Sequence, residues 1–147
     1  MNWLKLVGAT GDPIAEDWAH EEAHNFTEIR FPWNKPPSNV WSPGRFVLYA
    51  VGSTALIAVQ SVDGPPQINP RRGPAGSRDN RWPHAIKVQT HHFCSPVSSA
   101  PLLREVAPEV ADKYAKLFRN GSHWQITDEE YEKLAAAIER NGRRYHD

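Results

Sequence analysis

Two apolar runs separated by two residues constrain this chain more than any other feature. RFVLYAV (45–51) and TALIAVQSV (54–62) are joined only by Gly52 and Ser53. A connection that short makes antiparallel neighbours of two strands. A strand with one face in water alternates apolar with polar residues, and neither run does so. Strands covered on both faces, or curled into a barrel, read this way. The rest of the sequence therefore has to cover both faces of this hairpin.

The segments that could do so are legible. WLKLV (3–7) reads as a short strand. HAIKVQT (84–90) reads as another, with Ala85 and Lys87 alternating against Ile86 and Val88, and SHWQI (122–126) as a last one. Asp12 and Pro13 suit the N-cap and first position of a helix running to about His24. APLLREV and PEVADKYAKLF look helical. In TDEEYEKLAAAI, Thr127 and Glu130 have capping-box spacing, Ile126 can staple onto Tyr131, and Tyr131, Leu134 and Ile138 form one apolar stripe. Gly142 ends that helix, and the tail RRYHD is expected to fray. Residues 25–44, rich in proline and aromatics, read as an ordered loop, and 63–81 as a long polar loop. Strands and helices do not alternate strictly. The expected class is α+β: a small mixed or antiparallel β-barrel of about five to six strands flanked by helices. The length, 147 residues, suits a single domain over 1–147.

Composition excludes little. There are 17 basic and 17 acidic residues, so no global basic signature points to nucleic acid, although a local patch would suffice. Cys94 is the sole cysteine, so no internal disulfide forms, and its surroundings, HHFCSPV, match no nucleophile signature. MNWLKLVGATGDP is neither a signal peptide nor a membrane span. A cytoplasmic protein without a membrane partner is expected.

DWAHEEAHNF (17–26) contains His20, Glu21 and His24 in the H-E-x-x-H order of zinc peptidases, in which two imidazoles one helical turn apart hold zinc and the Glu activates its water. On a helical wheel, Ile14, Ala15, Trp18, Ala19 and Ala23 gather on one side, while His20, His24 and Asp17 gather on the other. Both histidines thus fall on the polar face of an amphipathic helix. The third ligand has no obvious source: His91, His92 and His123 match no zincin spacing. A surface helix is the favoured reading, with a small zinc hydrolase as the alternative. No catalytic residue, metal or cofactor is assigned. No G-x-S-x-G and no phosphate-cradling glycine loop is present.

Trp33, Trp41 and Trp82 stand in FPWNKP, NVWSPG and NRWPHA, among residues a core would not supply. Tryptophan stacks well on a nucleobase, and neighbouring cations hold phosphates. A base lifted out of a helix is read between aromatic rings, with its polar edge hydrogen-bonded nearby. Trp33, Trp41 and Trp82 are therefore candidate cage walls, with Ser38, Asn39, Asp79 and Asn80 to read the polar edge. Lys35, Arg71, Arg72, Arg78 and Arg81 are candidate phosphate contacts. The tryptophans could instead plug the barrel ends, or form a dry surface for a protein partner.

The order of these features resembles the EVE domains, members of the PUA-like superfamily related to YTH domains. WLKLV, NVWSPGRFVLYAVG, TALIAVQSVDGPP, RWPHAIKV and GSHWQITDEEYEKLAAAI carry the resemblance, which spans nearly the whole chain. It implies a β-barrel with an aromatic cage for a modified base: methylated or hydroxymethylated cytosine in DNA, or N6-methyladenine in RNA. Ser122 and His123 would then lie near the pocket mouth or a phosphate. It also implies a sensing role in modification-dependent restriction, with any cleavage done by a nuclease or motor partner. The chain departs from the family pattern in its 63–81 insertion and its HEEAH helix. The function expected is a non-enzymatic reader of a modified base, with DNA favoured over RNA.

Overall fold

A computed structural model of the chain describes residues 1–7, 27–40, 43–69, 82–95 and 99–144. The expected helix over 13–24, with its HEEAH motif, lies outside them. The described strands are β1 (Asn2–Val7), β2 (Glu28–Phe31), β3 (Arg45–Ala50), β4 (Ala55–Val62), β5 (His84–Phe93), β6 (His123–Ile126) and β7 (Arg143–Arg144). Between β5 and β6 come α1 (Leu103–Val106), α2 (Pro108–Lys113) and α3 (Leu117–Asn120), and α4 (Asp128–Asn141) follows β6.

The strands form one sheet in the order β2-β5-β4-β3-β1-β6, with β7 added against β5. β1 pairs in parallel with β3, and the other pairings are antiparallel, so the sheet is mixed. It curls far enough to bring its end strands together: Phe31 of β2 meets His123 of β6 edge to face, with ring centroids 4.7 Å apart. The α+β class with a small, curled, mixed sheet expected from the sequence is what forms.

The β3–β4 hairpin shows why its strands lack alternation. Phe46, Leu48 and Ile57 point into the curled interior with Trp3, Ile29, Phe31, Ile86 and Val88. Val47, Tyr49 and Leu56 point the other way, under a layer of Leu103, Val110, Leu134 and Ile138 from the helices. Each strand thus buries both faces, and apolar residues are favoured at every position. At the turn, Gly52 has φ 95°, a conformation that suits glycine, and Thr54 has φ 55°. Thr54 is held there by its carbonyl, which accepts from Leu103 N–H at 3.1 Å.

α4 begins as its sequence specifies. Thr127 Oγ1 accepts from Glu130 N–H at 3.0 Å, and Glu130 Oε1 accepts from Thr127 N–H at 2.9 Å. Tyr131, Leu134 and Ile138 are buried, and Ile126 shares their cluster. The Arg45 guanidinium stacks 3.9 Å from the Tyr131 ring centre, tying β3 to the helix.

Two expectations need correction. Residues 25–44 are not all loop. Glu28–Phe31 is a strand that pairs with β5, its Ile29 and Phe31 filling the interior while Glu28 and Arg30 are half-buried. Four residues so close to a Pro-rich stretch carry too short a pattern to stand out. The tail also begins paired: Arg143 and Arg144 lie opposite Phe93 and His92.

Gly142 makes that pairing possible. A Cβ there would stand 2.5 Å from Phe93 O, 2.7 Å from Ile138 O and 2.9 Å from Cys94 Sγ. Gly142→Ala should therefore cost about 1–3 kcal/mol in urea unfolding, as expected of an overpacked site. Thr127→Ala, which removes a cap, should cost about 1 kcal/mol.

Candidate functional site

The interior of the curl is not uniformly apolar. On β1, the residues that alternate inward are Trp3, Lys5 and Val7. Trp3 is 3% exposed and Lys5 is 4% exposed. Lys5 is register-paired with His123 of β6, so the two side chains share this face. The Lys5 ammonium lies 4.8 Å from the centre of the Phe31 ring and donates to Leu6 O at 2.7 Å. The His123 ring packs between Phe31 and Trp3, whose centroid is 5.6 Å away.

This placement perturbs both groups. Burial lowers the Lys5 pKa to about 7. Burial, then the positive charges of Lys5 and Lys35, lower the His123 pKa to about 4. His123 is therefore neutral at physiological pH. The Trp3 indole N–H and His123 Nδ1 are buried without a hydrogen-bond partner among the described residues. Buried polar atoms are rarely left so in a folded protein. Here both belong to side chains that share the inner face with the buried Lys5 amine.

The β2–β5 ladder ends beside this interior. Phe31 is paired with His84 there. Trp33 and Trp82 each stand two residues beyond that pair, one on each strand's extension, so the fold brings them to the same end. Both are exposed, Trp33 at 52% and Trp82 at 36%. His84 is buried and joins the segments around this end of the ladder. Its Nδ1 accepts from Asn69 N–H at 2.9 Å, which leaves Nε2 to carry the proton and donate to Trp33 O at 3.0 Å. The loop after β2 is fixed by Lys35 N–H to Pro32 O at 2.9 Å and Val40 N–H to Pro37 O at 3.1 Å, with Pro37 and Val40 buried. Lys35, Ser38 and Asn39 are exposed on it. The field of Lys35 reaches His123, which relates this loop to the interior.

Ser122 is buried beside β6. Its Oγ lacks a partner among the described residues, and its carbonyl accepts from Leu6 N–H at 2.9 Å. Trp41, Arg71, Arg72, Arg78, Asp79, Asn80 and Arg81 lie outside the described residues, as do His20, Glu21 and His24. His91 is an exposed strand residue with a ring nitrogen 2.8 Å from Ser61 Oγ. Among the described residues, no group of three or more His, Cys, Asp or Glu could hold a metal ion. Cys94 is buried, and burial raises its thiol to about 11, so it is not a nucleophile at neutral pH.

Sequence reasoning did not single out Trp3, Lys5, Phe31 or His84. Lys5 carried a readable signal: a lysine at the centre of a strand that is otherwise apolar on both faces. A charge there is costly unless something uses it.

Lys5 gives stability a definite pH dependence. Its amine loses its proton near pH 7 in the folded chain and near 10.5 when unfolded. Between these values the unfolded chain holds the extra proton, so stability rises with pH, by up to about 1.4 kcal/mol per unit. Below pH 7 the cost of the buried charge is fully present. Urea titrations across this range should show that rise in the native chain, and a flatter profile with higher stability near pH 6 in Lys5→Met. Identical profiles would contradict the placement of Lys5. On the acid side, His123 should make stability fall from pH 6.5 toward 4, because the unfolded ring protonates first.

No protein-family model matches the chain, and no curated protein matches it in sequence. Solved structures do share its fold. Rpa0253 from Rhodopseudomonas palustris, solved by NMR, is similar with a TM-score of 0.56 at 13% identity, over 99% of each chain. The Mmi1 YTH domain is similar with a TM-score of 0.53 at 11% identity, over 95% of this chain and 76% of that one. Human THYN1, solved in complex with DNA containing 5-methylcytosine, has a TM-score of 0.50 at 12% identity, over 94% of this chain and 97% of that one. The architecture is that of the PUA-like and YTH-related folds.

Proposed function

We propose that this chain is an EVE-type module that binds nucleic acid, catalyses no reaction on it, and reads a modified base lifted into the mouth of the curled sheet. The observation that carries the reading is the pair of exposed tryptophans, Trp33 and Trp82, flanking the Phe31–His84 end of the ladder, where Phe31 packs against His123 and Lys5. Exposed indoles at one end of a curled sheet suit a flat ring. The structural likeness to human THYN1, which was solved with DNA containing 5-methylcytosine, and to a YTH domain supports the same reading.

Methylated or hydroxymethylated cytosine in DNA is the favoured ligand. A methyl group placed between rings sheds water and contributes on the order of 1 kcal/mol, which suffices for discrimination but not for affinity. Affinity comes from phosphate contacts. Lys35 and the arginines of the 63–81 insertion, Arg71, Arg72, Arg78 and Arg81, are the residues proposed for them, with Trp41, Ser38, Asn39, Asp79 and Asn80 completing the cage. Ser122 and His123 lie beside it. A sensor of this kind would serve a modification-dependent restriction system in which a separate nuclease or motor protein acts on the DNA.

Equilibrium binding to short oligonucleotides tests the reading, with matched DNA and RNA carrying unmodified, methylated or hydroxymethylated cytosine, or N6-methyladenine. A modified strand should bind more tightly than its unmodified match. Absence of binding to every member at low salt would sink the proposal. Trp82→Ala should abolish the preference for the modified base. Arg71→Ala or Arg72→Ala should weaken all members about equally and reduce the dependence of affinity on salt.

A further inference from the structure

The cage reading accounts for the exposed tryptophans but not for the polar groups beneath them. Trp3 and Lys5 are almost wholly buried, and His123 lies between Trp3 and Phe31. Trp3 Nε1–H is a donor without an acceptor among the described residues. The Lys5 amine has one acceptor shown, the carbonyl of its own neighbour Leu6, and when protonated it has three hydrogens to place. His123 Nδ1 is also unpartnered among the described residues, and a neutral imidazole can present a proton there.

The charges around this cluster have one sign. The groups whose fields act on His123 are Lys5 from β1 and Lys35 from the loop after β2, both positive. On β3 the residue facing Lys5 is Leu48, which carries no charge. Among the described residues, no carboxylate is seen acting on Lys5 or His123. A methyl substituent offers no acceptor, so donors that face it would stay unsatisfied. A group bearing negative oxygen would satisfy them and offset the buried charge.

We infer that Lys5, with Trp3 and His123, forms a donor floor for an anionic oxygen substituent on the bound ring, so that carboxyl-substituted cytosine is held more tightly than hydroxymethylated cytosine, and that more tightly than methylated cytosine. This inference rests on the base-reading proposal and narrows it from modified cytosine in general to its oxidised forms. The same donors could take a backbone phosphate, which is also an anionic oxygen group. The position of Lys5 on the inward face, paired with His123 rather than at the exposed rim, favours a substituent carried in on the ring. Binding such an anion favours the protonated amine, so affinity for the carboxyl form rises as pH falls toward and below 7, while affinity for the methyl form changes less.

The test is fluorescence anisotropy with one oligonucleotide sequence carrying cytosine, methylcytosine, hydroxymethylcytosine or carboxylcytosine at a single position. It is run on the native chain, Lys5→Met and Trp82→Ala at several pH values, with inorganic phosphate as competitor. The native chain should bind the carboxyl form about tenfold or more tighter than the methyl form, as expected for a charge-assisted hydrogen bond. Lys5→Met, which exchanges the buried amine for a side chain of similar length, should lose that difference while keeping preference for methylated over unmodified cytosine. Trp82→Ala should lose both preferences. Equal or tighter binding of the methyl form, or a carboxyl preference that survives in Lys5→Met, would overturn the inference and leave the base-reading proposal standing. No preference for any modified form would overturn both. Displacement by phosphate that depends on Lys5 and is the same for every oligonucleotide would show that the floor holds phosphate, and would also overturn the inference.

Discussion

The contact on which the rest of the structure depends is the one between Phe31 and His123. These residues belong to the two strands at opposite ends of the sheet order, and their rings meet at 4.7 Å. With the ends apart, the inner faces of β3, β4 and β5 would be an open apolar surface. With them together, those faces become an interior. A four-residue strand therefore both closes the sheet and sets the course of the loop that carries Trp33 and Lys35.

The interior that results is unusual in its polarity. A buried lysine beside a half-buried histidine is costly, and no carboxylate among the described residues offsets it. Two further polar atoms are left without partners nearby. Evolution could replace Lys5 with an apolar residue and gain stability. It stands at the centre of β1, directly across from His123, at a cost in stability. The His84 bridge between Asn69 and Trp33 makes the complementary contribution, because it holds the exposed rim in register with the interior through bonds that fix the imidazole tautomer.

How much of this was legible in the sequence follows from the range over which each signal acts. The hairpin, the capping box of α4 and its Tyr131–Leu134–Ile138 stripe are local patterns, and each forms as written. The α+β barrel class followed from two strands buried on both faces, and the similar solved structures have the same architecture. β2 was not legible, because Glu28–Phe31 is too short for a period to show and its pairing with β5 is a contact across more than fifty residues. The interior cluster was hidden for the same reason. Trp3, Lys5, Phe31 and His123 come from three separate strands, and only the closed sheet makes them neighbours. Lys5 alone left a trace, as a charge within an apolar run. Trp33 and Trp82 were found from their local context, FPWNKP and NRWPHA, whose residues a core would not supply.

The central claim is that one concave site, with an indole rim and a donor floor, receives the base. The six tryptophans offer a direct readout, since each indole N–H gives its own NMR signal. Assignment by single Trp→Phe variants, followed by titration with an oligonucleotide carrying a modified cytosine, tests the claim residue by residue. The account predicts that the signals of Trp33 and Trp82 at the rim and Trp3 at the floor shift together with one affinity, while Trp124, packed under the helices against Tyr114 and Phe118, does not move. Saturable binding that leaves Trp3, Trp33 and Trp82 unshifted would contradict it.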